Sequence, residues 1–155
     1  MSVKKTPFKL KPGQVDFTHA RFAPVINCVL RHKGKLLVVK RSETLNFYPG
    51  VWNGISGFLD DKRTLQEKIA DEIREELGIE ASKIKKMRLG EIFHQEEPTY
   101  NKTWIVHPVL VDVTTDKIIL DWEAKEYVWL VLKDIKKLRL LPGFPEVLKR
   151  LRSWL

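Results

Sequence analysis

Apolar and polar positions divide the chain into short strand-like runs arranged around one strongly periodic helix. Residues 24–31 and 35–41 are apolar runs of strand length joined by His32-Lys33-Gly34, which predicts a β-hairpin with Gly34 in the turn. Residues 42–56, with Asn46, Pro49, Gly50, Asn53 and Gly54, read as a loop. The period then changes: Leu65, Ile69, Ile73 and Leu77 recur every four residues, as the buried face of a helix requires. Thr64-Leu65-Gln66-Glu67 is a capping box that starts this helix, and Gly78 is the left-handed residue that stops it. Residues 87–94, 103–113 and 127–132 read as further strands and 133–138 as a short helix. A last amphipathic helix begins at Gly143, with Val147, Leu148, Leu151 and Leu155 apolar. Residues 1–20 are basic and irregular, an arm or an edge strand. No repeat or low-complexity tract interrupts residues 1–155, so one domain is expected, with a mixed sheet between helices.

Composition narrows the class. A chain with 43% hydrophobic and 31% charged residues is globular, not disordered. The single Cys28, inside an apolar run, excludes an internal disulfide and reads as a buried strand residue. No run approaches the roughly 18–20 apolar residues that span a bilayer, and no apolar stretch follows the basic N-terminus. No membrane association is expected, and the default compartment is the cytoplasm. The formal net charge of +8 favours anionic partners, small nucleotides above nucleic acid. Its distribution matters more: residues 57–79 carry −3 and the remainder +11. An acidic patch in a basic surround suits a metal ion holding a polyanion.

Glu72, Glu75 and Glu76 lie at i, i+3 and i+4 and so share one helical face. Like charges at that spacing cost about 0.2–0.5 kcal/mol per pair, and the helix C-terminus disfavours anions. Folding does not ask for this placement; a hard divalent cation would explain it.

The 23-residue run from Gly57 to Ile79 resembles the Nudix box: Gly, five residues, Glu, seven residues, then Arg-Glu-U-x-Glu-Glu-x-Gly-U, with U bulky and aliphatic. Gly57, Glu72, Ile73, Glu75, Glu76, Gly78 and Ile79 match, seven of the nine specified positions. The resemblance implies an α/β fold, an α/β/α sandwich with a mixed β-sheet, covering the chain from about residue 22 to 132. It also implies hydrolysis of a nucleoside diphosphate linked to another moiety, with Mg²⁺ or Mn²⁺ as cofactor and a small nucleoside diphosphate derivative as partner; many relatives are homodimers. Two positions depart from the pattern. Arg63 stands where the family has Glu, and Asp71 where it has the Arg that braces the motif. The two changes have opposite sign, so the attraction between the positions is expected to survive with its polarity reversed.

By resemblance, Glu72, Glu75 and Glu76 are metal ligands, the carbonyl of Ser56 or Gly57 adds another, and Glu123 is a fourth carboxylate, with Glu126 its alternative. Glu72, Glu76 and Glu123 are the expected catalytic carboxylates, one of them taking a proton from the attacking water. Arg41 matches a place where relatives contact phosphate. Phe47, Tyr48, Trp52, Phe93 and Tyr100 are candidates to stack on a base, with Trp52, Phe93 and Tyr100 the selected substrate-binding set. Where family subgroups carry substrate markers, this chain has Phe93, His94 and Gln95, and Pro98 and Tyr100 are displaced, which assigns no substrate class.

Two other readings fit the same residues. One is a weakened module that binds nucleotide or RNA without turnover, suggested by Arg63, Asp71 and the basic surround. The other is an isomerase of the isopentenyl diphosphate type, suggested by Tyr48-Pro-Gly-Val-Trp52-Asn53. Those isomerases need a Cys and a His where this chain has Ser56 and Phe58.

Overall fold

A computed structural model describes residues 10–155. The first nine residues, and with them part of the expected arm, lie outside the described residues. The hairpin forms as expected. β1 (Phe22–His32) and β2 (Lys35–Arg41) meet at a two-residue turn in which Lys33 (φ 48°) and Gly34 (φ 78°) are both left-handed. That pairing is the turn whose twist matches antiparallel strands.

β1 lies at the centre of the sheet. One edge pairs with β2 and with β4 (Ile55–Phe58), both antiparallel. The other edge pairs in parallel with β7 (Lys102–Val113). β2 continues to β3 (Trp52–Asn53) and β8 (Ala124–Leu130). The far edge of β7 carries β5 (Ile84–Leu89) and β6 (Phe93–Glu97).

Strand alternation sorts the core into two halves. Ile26, Cys28 and Leu30 of β1 with Val109, Val111 and Val113 of β7 pack beneath α1 (Leu65–Leu77), through Ile69, Ile73 and Leu77. Ala23, Val29, Trp104, Val106 and Leu110 face the opposite way, under α2 (Leu132–Ile135) and α3 (Phe144–Arg150). This is the expected α/β/α sandwich with a mixed sheet. No helix among the described residues is long and apolar enough to cross a membrane.

Several boundaries differ from the sequence reading. The strand expected over 87–94 is two strands broken at Gly90. Pro108 of β7 has no N–H to donate, so the ladder lapses beside it, and Gly90 N–H instead donates to the Pro108 carbonyl at 2.8 Å. A Cβ on Gly90 would stand 3.0 Å from Leu151. The loop expected over 42–56 contains β3 and the start of β4. Residues 10–20 pair with no strand and run as an irregular arm. The terminal helix stops at Arg150 and is followed by one 3₁₀ turn, so Leu155 lies exposed, off the expected apolar stripe.

The box helix has the caps its sequence predicts. Thr64 Oγ1 accepts from Glu67 N–H at 3.1 Å, and Gly78 (φ 68°) closes the C-terminus. Ile73 is fully buried between this helix and the sheet. Ile73→Ala should cost about 2–5 kcal/mol, read as a lower denaturant midpoint with an unchanged slope.

Candidate active site

α1 turns its polar side toward β4, and Gly57 allows the contact. A Cβ on residue 57 would stand 2.8 Å from Glu72 Cδ and 3.0 Å from Oε2. The glycine that opens the box is therefore a seat for the Glu72 carboxylate. Lys68, one turn earlier and nearly buried, lies 3.1 Å from Glu72 Oε1 and 3.1 Å from Asp60 Oδ1. Burial alone would depress its pKa; the carboxylates of Glu72 and Asp60 outweigh that and raise it. Sequence reading missed Lys68 and Asp60. Their spacing of eight, with Lys68 four before Glu72, was the available signal.

Glu76 lies deeper. Its side chain is buried, and Oε2 has no hydrogen-bond partner. Burial raises its pKa well above the usual carboxylate range, and the nearby Glu123 and Glu72 raise it further. Glu72 is also raised, chiefly by burial, with Lys68 pulling the other way.

Helix ends explain how Glu123 arrives beside Glu76. The last carbonyls of a helix lack partners within it. Here Ile119 N–H donates to the Leu77 carbonyl at 2.9 Å and Asp121 N–H to that of Glu76 at 3.3 Å. Asp121 Oδ1 accepts from Glu123 N–H at 3.0 Å, and the Glu123 carbonyl accepts from Ser42 N–H at 2.8 Å. The segment is thus sewn to both α1 and the end of β2. Burial, with Glu123 and Glu75 nearby, pushes the Asp121 carboxyl up to about 6.

The two departures from the box meet. Arg63 Nη1 lies 2.8 Å from Asp71 Oδ2, so the brace exists with its charges exchanged. Arg63 also holds Asp61, and Asp71 also holds Arg74 at 3.1 Å. The Arg63 guanidinium keeps the Asp61 carboxyl down at about 2.

A cleft of about 590 Å³ opens beside these groups. Glu72, Glu75, Glu123 and Arg41 line it with Gly57; Glu76 lies behind. Glu75 is half exposed, 3.8 Å from Arg74. Arg41 donates to the carbonyls of Phe47 (2.8 Å) and Tyr48 (3.2 Å), so it braces the loop as well as facing the cleft.

The expected stacking residues are redistributed. Trp52 is packed against the α3-side core, held by backbone bonds to Arg139 and Leu141, and does not line the cleft. Phe93 is buried in the same core beneath the Arg150 guanidinium. Tyr100 does not line the cleft but packs behind Phe47 and Tyr48, its hydroxyl accepting from Tyr48 N–H at 2.9 Å. Each belongs to a strand or turn whose inward side is core, which sequence order alone does not reveal. Of the five candidates Phe47 and Tyr48 do line the cleft, joined by Phe17, Phe58, Trp104 and Trp122. Trp104 Nε1–H donates to the Tyr48 hydroxyl at 2.8 Å.

With this geometry in view, comparison with known proteins is informative. The sequence model of the NUDIX domain matches residues 21–151. The chain belongs to the NUDIX family. It is 25% identical in sequence to the MutT protein from Methanosarcina mazei Go1, whose structure superposes with a TM-score of 0.66 over 86% of this chain and 94% of that one. The NUDIX domain of Shewanella oneidensis NrtR, solved with ADP ribose, shares the fold at 15% identity, TM-score 0.70, over 85% of this chain and 87% of that one. An isopentenyl-diphosphate Delta-isomerase from Kocuria rhizophila is 32% identical over an alignment 113 residues long that covers 69% of this chain and 61% of that relative.

A divalent cation fits the residues of this NUDIX site. Among the described residues no three His, Cys, Asp or Glu side chains form a ready-made cage. Mg²⁺ does not ask for one: it takes one or two carboxylates, several waters and the substrate's phosphate oxygens. The unpartnered Glu76 Oε2 and the repelling Glu72, Glu76 and Glu123 are the kind of donors that a hard cation satisfies.

Two outcomes are expected. First, Arg63→Glu/Asp71→Arg should retain activity better than either single variant, with a coupling energy of about 0.5–1 kcal/mol. The recovery is partial because Asp61 and Arg74 lose their partners; purely additive effects would show that the pair is not a unit. Second, the folded-state pKa of Glu76 lies above its ordinary 4.5, so its burial costs stability increasingly as pH rises through that folded value. Glu76→Gln should therefore raise the metal-free Tm above pH 7 and flatten its pH profile. Mg²⁺ should raise the wild-type Tm more than the variant's.

Proposed function

We propose that this NUDIX protein is a Mg²⁺- or Mn²⁺-dependent pyrophosphohydrolase that cuts the diphosphate of a small nucleoside diphosphate derivative, and that it works in the cytoplasm. It is an enzyme acting on phosphoric anhydride bonds. The observation that carries this reading is the group of mutually repelling carboxylates, with Glu72 seated against Gly57, at one side of an aromatic-lined cleft.

A bound divalent cation would neutralise the diphosphate oxygens and lower the pKa of the attacking water. Glu72, Glu75, Glu76 and Glu123, with the carbonyl at Gly57, are the set from which its one or two protein carboxylates and a carbonyl ligand are proposed to come. Lys68 holds Glu72 in place and offsets part of the burial that raises its pKa, which suits Glu72 to take the water's proton. Arg41 faces the same cleft and offers positive charge to the phosphates while its loop contacts fix its direction. Every group named lies in one chain, so a homodimer is compatible with the site and is not needed to complete it. The cleft volume, within the range of about 300–1,000 Å³ typical of small-molecule sites, favours a monomeric nucleotide over nucleic acid.

The isomerase reading draws support from the Kocuria rhizophila relative, of whose length the chain spans 61%. The site chemistry favours hydrolysis. Ser56 and Phe58 stand in the cleft where those isomerases need Cys and His. Cys28 is fully buried on the α1 side of the sheet, and burial pushes its thiol pKa up, so it supplies no nucleophile there.

Purified protein with Mg²⁺ or Mn²⁺ should release a nucleoside monophosphate from at least one member of a panel of nucleoside triphosphates, nucleotide sugars, ADP-ribose and dinucleoside polyphosphates. Glu72→Gln should lower that rate by about 10²–10⁴-fold. Isomerisation of isopentenyl diphosphate without diphosphate cleavage would overturn the hydrolase assignment, and nucleotide binding with no turnover of any panel member would favour the binding module.

A further inference from the structure

Residues 14–20 precede the sheet and belong to none of its strands, yet they are fastened at two places. Asp60 makes the first: its carbonyl accepts from Val15 N–H at 2.6 Å, and its Oδ2 accepts from the Gln14 amide at 2.7 Å. Lys102, the first residue of β7, makes the second: its Nζ donates to the carbonyls of Phe17 and Ala20, both at 2.6 Å. The residues between the two fastenings, Asp16, Phe17 and Thr18, line the cleft.

Lys102 is an unusual clamp. Its side chain is among the largest fully buried ones, at 1% exposure. Burying an ammonium is costly unless it is well satisfied. Here the two carbonyls answer it, with the faces of Phe47 and Trp104, each centroid 5.5 Å from Nζ. One buried cation thereby joins the arm to two rings of the cleft lining. On the far side, Phe17 stacks on Phe58 at 5.9 Å and 16°, and Phe58 leans on Trp104 at 6.1 Å. A segment needed only to tidy the surface would not require a buried charge to hold it against these rings.

We propose that residues 14–20 form a built-in wall of the substrate cleft, that Lys102 is the positioning residue holding that wall in place, and that Phe17 supplies the face against which the substrate's nucleoside lies. This rests on the cleft taking a nucleoside diphosphate derivative, as argued above. The wall encloses one side of the cleft, so it selects compact, monomeric substrates and disfavours a nucleotide at the end of a polymer.

Three proteins, each the full chain, test this: wild type, Lys102→Met and Phe17→Ala. Calorimetry with ADP and Mg²⁺ reads binding without turnover, amide hydrogen exchange reads the wall, and KM and kcat are measured on the preferred member of the substrate panel. Both variants should weaken ADP binding and raise KM about tenfold, as loss of a stacking face predicts, with kcat within about threefold of wild type. Lys102→Met should also speed exchange across residues 14–20 while β1 stays protected. ADP bound as tightly by Phe17→Ala as by wild type would overturn the proposal, even if Lys102→Met fails to fold. Unchanged exchange at 14–20 in a folded Lys102→Met would overturn the clamp. A wild type that binds ADP but cleaves no panel member would sink the hydrolase reading and leave the wall standing, whereas a wild type that does not bind ADP would sink the wall.

Discussion

Glu72 and Glu76 lie below the surface on one side of α1, where ionised carboxylates lose hydration that must be replaced. Glu72 has Lys68 at 3.1 Å; Glu76 has one oxygen without a partner and a second carboxylate, Glu123, beside it. The surrounding structure serves this uneven arrangement. Gly57 leaves room for the Glu72 carboxylate where any side chain would collide. Asp60 shares Lys68 with Glu72 and also anchors the arm, so one short network runs from the Glu72 carboxylate to the arm beside the cleft. Stability is spent here on a charge arrangement that folding alone would avoid.

The reversed brace between Arg63 and Asp71 illustrates what such a motif conserves physically. The interaction needs opposite charges eight residues apart, one in the loop before the helix and one on its second turn. At 2.8 Å the pair holds loop to helix. The two departures that suggested a weakened binding module thus pair with each other in the fold.

The cleft joins two environments. At one end are carboxylates, Arg41 and Lys68, suited to a metal-bound diphosphate; at the other are Phe17, Phe58 and Trp104, suited to a ring. They come from opposite sides of the central sheet, since α1 covers one face and the aromatic rings lie on the other. β4, with Gly57 between Ser56 and Phe58, is the strip along which the two meet. The resemblance to an isopentenyl-diphosphate Delta-isomerase lies on the same frame. On a shared frame, the cleft side chains decide the chemistry.

Local chemistry made much of this legible in advance. The hairpin turn, the capped box helix, its buried stripe and the shared face of Glu72, Glu75 and Glu76 all follow from residues close in sequence, because turns, caps and helical periodicity are local interactions. Other features depend on contacts across the chain. Glu123 reaches Glu76 only because residues 119–121 satisfy the last carbonyls of α1. Trp52, Phe93 and Tyr100 are aromatic near the motif, but their strands turn them into the core or behind the wall. Phe17 and Lys102, 85 positions apart, become one wall of the site only when β7 lies beside β1. By itself, the sequence determined the elements and the family, since those depend on periodicity and spacing. Which of the aromatic side chains face the cleft was decided by tertiary structure, because that depends on the face each strand presents after the sheet has formed.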